Sequence, residues 1–192
     1  MPPKPIVLAF DTSAAHCAAA LLSGDRVVTR VDEMSKGQAE HLMPMLEEIL
    51  ASEDLTWADL DGIGVGTGPG NFTGIRIAVS AARGLALGLG KPGVGVDGFA
   101  ARAYRQPLPF TAEIPAPRGQ AYFRDFAQDG TTSAPYQGAA SGKPDIPAKD
   151  MVTAIARIAV SQLEGPVARP APLYVRSADA APPRDPAPTI IP

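Results

Sequence analysis

The sequence predicts an α/β protein: a mixed sheet with helices packed on it, in two lobes of which the second is reduced. Three observations carry this. The first thirty residues hold apolar, strand-like runs joined by short turns. From Asp61 to Tyr104 strands and helices alternate. After Gln106 the composition changes, and most of the 21 prolines fall there. At 192 residues the chain fits one domain or two small lobes sharing a core, and 45 % hydrophobic residues suffice to bury one.

Pro5–Phe10, His16–Leu22 and Arg26–Val31 read as three strands. The turn Asp11–Ala15 and the tight-turn signal Ser23-Gly24-Asp25 join them as an antiparallel meander. A helix follows over Ser35–Ala51, with Ser35 as cap and Gln38 placed as in a capping box. Leu42, Met45, Leu46 and Ile49 form its core stripe. Met43 and Leu50 lie beside that stripe and widen the apolar surface. Pro44 removes one backbone donor, so a kink or a late start is expected. Asp61–Gly66 reads as a buried strand, Gly66–Gly74 as a loop, Phe72–Leu89 as a second long helix, Pro92–Val96 as a strand and Gly98–Tyr104 as a short helix. Beyond Gln106, Leu108–Ile114 and Gln120–Phe126 are strand candidates, interrupted by Pro115 and Pro117. Lys149–Leu163 is a clear helix. Ser177–Pro192, rich in Pro and Ala, has the composition of a disordered tail. The organisation expected is thus 1–106, a first lobe; 107–176, a reduced second lobe; and 177–192, a tail.

The net charge of −3 and pI near 5.4 lack the clustered basic face of a protein that grips nucleic acid alone. Cys17 is the single cysteine, which excludes an internal disulfide, suits a reducing compartment and reads as a buried inert thiol. Asp11 and His16 interrupt the apolar N-terminus and argue against a signal segment. No uninterrupted apolar run reaches the ~20 residues of a bilayer span, so a cytoplasmic chain without membrane contact is expected. The two histidines, His16 and His41, stand in no metal-binding spacing, and no metal site is expected.

Three motifs invite chemistry. Asp11-Thr12-Ser13 enters a turn at a strand end. In actin-like and sugar-kinase ATPases an aspartate and small polar residues in such a turn hold the Mg²⁺ and phosphates of ATP, the carboxylate serving the metal and the amides the phosphates. Ser13 stands where those motifs usually carry Gly, and an Asx- or Ser/Thr-stabilised turn is the favoured alternative. Gly66–Gly74 opens a helix and could bind an anion, but no Gly-Lys-Ser/Thr follows. A tight turn whose glycines permit close backbone approach is favoured. The helix Phe72–Leu89 is apolar nearly all round apart from Arg76, Ser80 and Arg83. Such a helix needs cover on most sides, either from its own chain or from a partner that Gly84 and Gly88 would admit closely.

Several segments together resemble the TsaB (YeaZ) family. They are AFDTSAAHCAAALL (residues 9–22), QAEHLMPMLEEIL (38–50) and DLDGIGVGTGPGNFTGIRIAVSAARGLALGLGKPGVGV (59–96), in matching order and spacing. GTGPGNFTGIRI is the most specific part. The resemblance implies an actin-like ATPase, ribonuclease-H-like fold. It implies a non-catalytic subunit of the machinery that makes N6-threonylcarbamoyladenosine on tRNA, related to the catalytic subunit TsaD and dimerising with it. TsaE, an ATPase, would join them, a homodimer could use the same face, and tRNA would be met only through the complex. The partner face would be built on the helices Ser35–Ala51 and Phe72–Leu89, from His41, Met43, Leu46, Leu50, Phe72, Arg76, Val79, Ala82, Arg83 and Ala86. No cofactor would bind tightly. ADP or ATP would sit only at the TsaD interface, with Asp11, Thr12 and Ser13 as a degenerate phosphate loop.

The departures favour the non-catalytic reading. Where TsaD carries a metal-binding histidine pair, Asp97–Arg102 reads DGFAAR. The family's Ile-Asp-Ala-Arg-Arg-Gly strand entry is here Ile114-Pro115-Ala116-Pro117-Arg118-Gly119, without the aspartate. Ala171–Arg176 resembles the family's closing segment. The rivals are an actin-like ATPase or sugar kinase, for which a second acidic phosphate motif is missing, and a metallopeptidase-like enzyme, for which the histidine pair is missing.

Overall fold

In the computed structural model, which describes residues 4–175, β1 (Ile6–Asp11) is the strand on which the rest is arranged. It lies between β2 (His16–Ser23), antiparallel, and β4 (Gly62–Gly66), parallel. β3 (Arg26–Glu33) extends the sheet beyond β2, and β5 (Gly93–Val96) extends it beyond β4, giving the order β3-β2-β1-β4-β5. This is the mixed sheet of the actin-like, ribonuclease-H-like fold. Parallel pairing requires a crossover between strands, and α2 (Phe72–Leu89) provides the one from β4 to β5.

β1 is apolar at nearly every position because both faces of the sheet are covered. Leu8 and Phe10 point toward α1 (Gln38–Ala51) and α2, while Val7 and Ala9 point toward α4 (Ala148–Ser161). Glycines and alanines keep the α4 side thin. A Cβ on Gly64 would press on the methyls of Ala9 and Ala159, so the helix sits close over the strand.

α1 begins three residues later than the expected Ser35 cap. Its N-cap is Gly37 at φ 81°, with no side-chain bond, so no capping box forms. Gln38 is drawn inward instead, donating to the carbonyls of Ala14 (2.8 Å) and His16 (3.2 Å), which ties the helix start to the β1–β2 turn. Pro44 is accommodated within the helix at an exposed position.

Residues 107–175 do not separate cleanly from the first lobe. β6 (Phe110–Ala116), β7 (Gln120–Phe126) and β8 (Tyr136–Ala139) form their own three-stranded antiparallel sheet, packed with α3 (Gly98–Ala103) around Phe99, Ala112 and Ile114. The next element, α4, returns to cover the first sheet. The expected boundary at 106/107 is therefore crossed, and the second half supplies one of the two layers on the first sheet. Pro115 does not interrupt pairing as expected: it lies opposite Ala121 on β6, an edge strand, where a missing donor is tolerated. The expected tail Ser177–Pro192 lies outside the described residues.

α2 is the one described helix long and apolar enough to cross a membrane by length and composition, with mean hydropathy 1.3. The expectation of no such stretch rested on uninterrupted apolarity, which Arg76 and Arg83 break. Here α2 lies on the sheet through Ile75, Ala78, Val79 and Ala82, with only 28 % of its residues buried within the chain.

Leu50 and Ala82 belong to the main core, 2 % and 0 % exposed. Leu50→Glu or Ala82→Glu places a carboxylate among aliphatic side chains and is expected to lower stability by about 3–5 kcal/mol. A thermal melt followed by circular dichroism reads this as a clear fall in Tm of the chain alone. Cys17 offers a pH test. Burial, then the charges of Asp32 and Asp11, push its thiol from 9.0 up to about 11. The folded state keeps the proton longer than the unfolded one, so stability is whole below pH 9 and declines as pH rises toward 11. Relative to Cys17→Ala, the unsubstituted chain is expected to lose about 2–3 kcal/mol more across that window, measured by denaturant titration at several pH values.

Candidate functional site

The turn after β1 is filled by its own hydrogen bonds. Asp11 is buried, and its Oδ1 accepts from Ser13 N (2.9 Å) and Ser13 Oγ (2.8 Å) and lies 3.2 Å from His16 Nε2. Thr12 donates its hydroxyl to the Gly74 carbonyl at 2.6 Å, and Asn71 N donates to the Ser13 carbonyl at 2.7 Å. The glycine-rich loop thus lies directly on the turn. A Cβ at Gly66 would overlap the Asp11 carboxylate; one at Gly70 would overlap the Ser13 carbonyl, and one at Gly74 the Thr12 carbonyl. These glycines permit close backbone approach, as the favoured reading had it. Asn71 caps α2 by accepting from Gly74 N at 2.9 Å. Asp11, Thr12 and Ser13 are brought together, but all three are engaged in holding this junction.

At the same end of the parallel strands, Asp97 follows β5 and opens the stretch Asp97–Arg102, where the resemblance places the histidine pair of TsaD. Its Oδ1 caps α3 by accepting from Phe99 N and Ala100 N, both at 2.9 Å, and its Oδ2 receives Arg124 at 2.9 Å. Arg102, nearly buried, pairs through two nitrogens with the carboxylate of Asp145. A cleft of about 260 Å³ between the two sheets is lined by Ser13, His16, Glu33, Arg102 and Asp145, among others. Sequence reasoning passed over Arg102 and Asp145, because 43 residues separate them and neither sits in a motif. Among the described residues no group of three or more His, Cys, Asp or Glu side chains could hold a metal ion.

The ten residues expected on the partner face divide. Leu46, Leu50, Val79 and Ala82 are buried in the chain's own core and cannot meet another surface, because α1 and α2 turn that stripe toward the sheet. His41 is half-buried and held to β3 by a 2.7 Å contact from Nε2 to Asp32. That hydrogen bond, aided by Arg30, holds the Asp32 carboxyl below the usual range. Phe72, Arg76, Arg83 and Ala86 lie along the edge of α2 that meets residues 170–174. Only Met43 borders the apolar groove that the helices leave open. This groove, about 540 Å³, is lined by Met43, Trp57, Ala81, Gly84, Leu85, Gly88 and Leu89. Gly84 and Gly88 have open space where a Cβ would be. The signal for this face was the small-residue spacing of Gly84 and Gly88, rather than the large apolar residues.

The family model of TsaD, tRNA N6-adenosine threonylcarbamoyltransferase, matches residues 32–168. The chain is 31 % identical over 128 residues to the tRNA threonylcarbamoyladenosine biosynthesis protein TsaB of Escherichia coli (strain K12), covering 64 % of this chain and 55 % of that one. It is 32 % identical over 130 residues to the protein of that name from Haemophilus influenzae, covering 64 % and 54 %. The solved structure of YeaZ from Pseudomonas aeruginosa superposes with a TM-score of 0.68 at 26 % identity, over 89 % of this chain and 100 % of that one. The chain belongs to this family, in its TsaB (YeaZ) branch. It spans about half the length of the curated TsaB relatives it matches.

If this turn-and-loop junction depends on backbone proximity, Gly74→Ala is the sharpest test. The methyl has no free volume and the neighbour is main chain, so about 2–4 kcal/mol of stability is expected to be lost. Gly84→Ala, in open space, is expected to gain up to about 1 kcal/mol. Denaturant midpoints of the two variants check both signs.

Proposed function

We propose that this chain is a non-catalytic subunit of the cytoplasmic machinery that makes N6-threonylcarbamoyladenosine on tRNA, and that it pairs with and activates TsaD. The observation that carries the reading is the apolar groove between α1 and α2. Leu85 and Leu89 of α2 and Met43 of α1 line it, while Gly84 and Gly88 lower its floor enough for a helix to approach closely. TsaD is the favoured occupant because the chain itself matches the TsaD family model. A partner built on the same plan brings an equivalent pair of helices, and two pairs closing on each other make a four-helix bundle. A second copy of this chain can occupy the groove by the same geometry, and TsaE would join the pair.

The state of the Asp11–Ser13 turn supports the absence of catalysis by this subunit. Its carboxylate and hydroxyls are already bonded within the chain, so a nucleotide phosphate would have to displace those bonds. Nucleotide would then be held only where TsaD contributes its own loops.

The test places charge in the groove without touching the core. Gly84→Glu and Gly88→Glu have room for the side chain in the free subunit, so the monomer is expected to keep its circular dichroism. Association with TsaD, measured by sizing or calorimetry, is expected to weaken by at least tenfold, because the carboxylate would be buried without a counter-charge. Undiminished association in both variants would move the interface elsewhere. In the same preparations ATP turnover by the isolated subunit is expected to be negligible; robust turnover abolished by Asp11→Ala would overturn the scaffold assignment.

A further inference from the structure

We propose that the edge of α2 facing residues 165–174 is a phosphate-contacting surface for RNA. This rests on the reading above that the chain works on tRNA. Arg83, Lys91 and Arg169 line an open cleft of about 600 Å³ that has no carboxylate among the described residues of its wall. In a chain of net charge −3, whose Arg26, Arg30, Arg102 and Arg124 all pair with carboxylates, these three form no ion pair among the described residues. Arg83 Nε donates to the Pro170 carbonyl at 2.6 Å, which fixes the guanidinium and leaves its other N–H groups without a protein partner among the described residues. Arg169 is exposed on the segment that runs past it. Lys91 follows the left-handed Gly90 that ends α2. The helix-end dipole alone would account for Lys91, but not for Arg169.

The same edge carries aromatic surface at its other end. Arg76 lies 3.7 Å over the Phe72 ring and donates from Nε to the Tyr174 hydroxyl at 3.0 Å. The two rings are 5.0 Å apart, and Phe72 and Tyr174 are 38 % and 39 % exposed. From Arg76 to Lys91 the edge runs about 22 Å, the length of several nucleotides. Cations spaced along a groove with exposed rings at one end suit a phosphodiester backbone with a base stacked at that end. The overall negative charge limits this chain to part of the contacts, the partner supplying the rest.

The test uses the complex assembled with TsaD, tRNA and a series of salt concentrations. Lys91→Glu/Arg169→Glu, and the milder Lys91→Gln/Arg169→Gln, are expected to lower tRNA affinity, about tenfold or more for the charge reversal. The slope of log K against log salt should become shallower by about 1.5 for two lost phosphate contacts. Subunit association by sizing should be unchanged, since neither residue lines the α1–α2 groove. The isolated chain with RNA at low salt gives a readout that does not need assembly. Variant-sensitive RNA binding there, with no association with TsaD, would sink the scaffold reading and leave this one standing. An intact complex whose tRNA affinity and salt slope are the same with and without the substitutions would overturn the proposal. Loss of ATP or inorganic phosphate binding in the variants with RNA binding unaffected would overturn it too, in favour of a small phosphate ligand.

Discussion

Where the chain leaves β1, its Asp11–Ser13 turn lies backbone against backbone on the glycine-rich loop that leads into α2. Asn71 N is bonded to the Ser13 carbonyl, the Thr12 hydroxyl to the Gly74 carbonyl, and the Asn71 side chain to the first turn of the helix. Three glycines make that approach sterically possible. The start of α2 is thereby fixed relative to the central strand, and its direction is then set by Ile75, Ala78, Val79 and Ala82 on the sheet. What remains exposed, and on which side, follows from this junction. A shift there would rotate the helix and redistribute the two surfaces that it borders.

α2 consequently presents three unlike strips. One is aliphatic and sealed on the sheet. One, with Gly84 and Gly88, borders the groove beside α1. The third carries Arg76 and Arg83 against residues 170–174. A helix apolar by composition is in this way partitioned by small residues and two arginines, which matters more than its mean hydropathy. The two arginines also flank the parts of the chain that come last in the described sequence, so the closing segment is held by the helix that the central sheet positions.

Much of the fold was legible because periodicity and turn chemistry act locally. The meander, both long helices and the late helix fall within a few residues of where spacing and punctuation put them. The start of α1 was misread because Gln38 makes bonds to Ala14 and His16, more than twenty residues away, and these outweigh a local cap at Ser35. β8 escaped notice since Tyr136–Ala139 is short and carries no alternation. The candidate site was less legible. Leu50 and Ala82 could not be assigned to core or surface from one helix's pattern, because the stripe facing the sheet is wider than the large residues alone suggest. The Arg102–Asp145 pair depends wholly on the second half folding back, which no local signal announces.

That fold-back also orders events in time. Val7, Ala9, Ala18, Ala20 and Leu22 form one side of the central sheet, and their cover is α4, whose first residue is Ala148. On a ribosome the first five strands emerge well before that helix exists. Until it arrives, the nascent sheet presents a flat row of methyl and isopropyl groups to its surroundings. The amino-terminal half is therefore a dependent fragment, and a truncation just after Gln106 would hand chaperones a half-dressed sheet instead of a lobe able to stand alone.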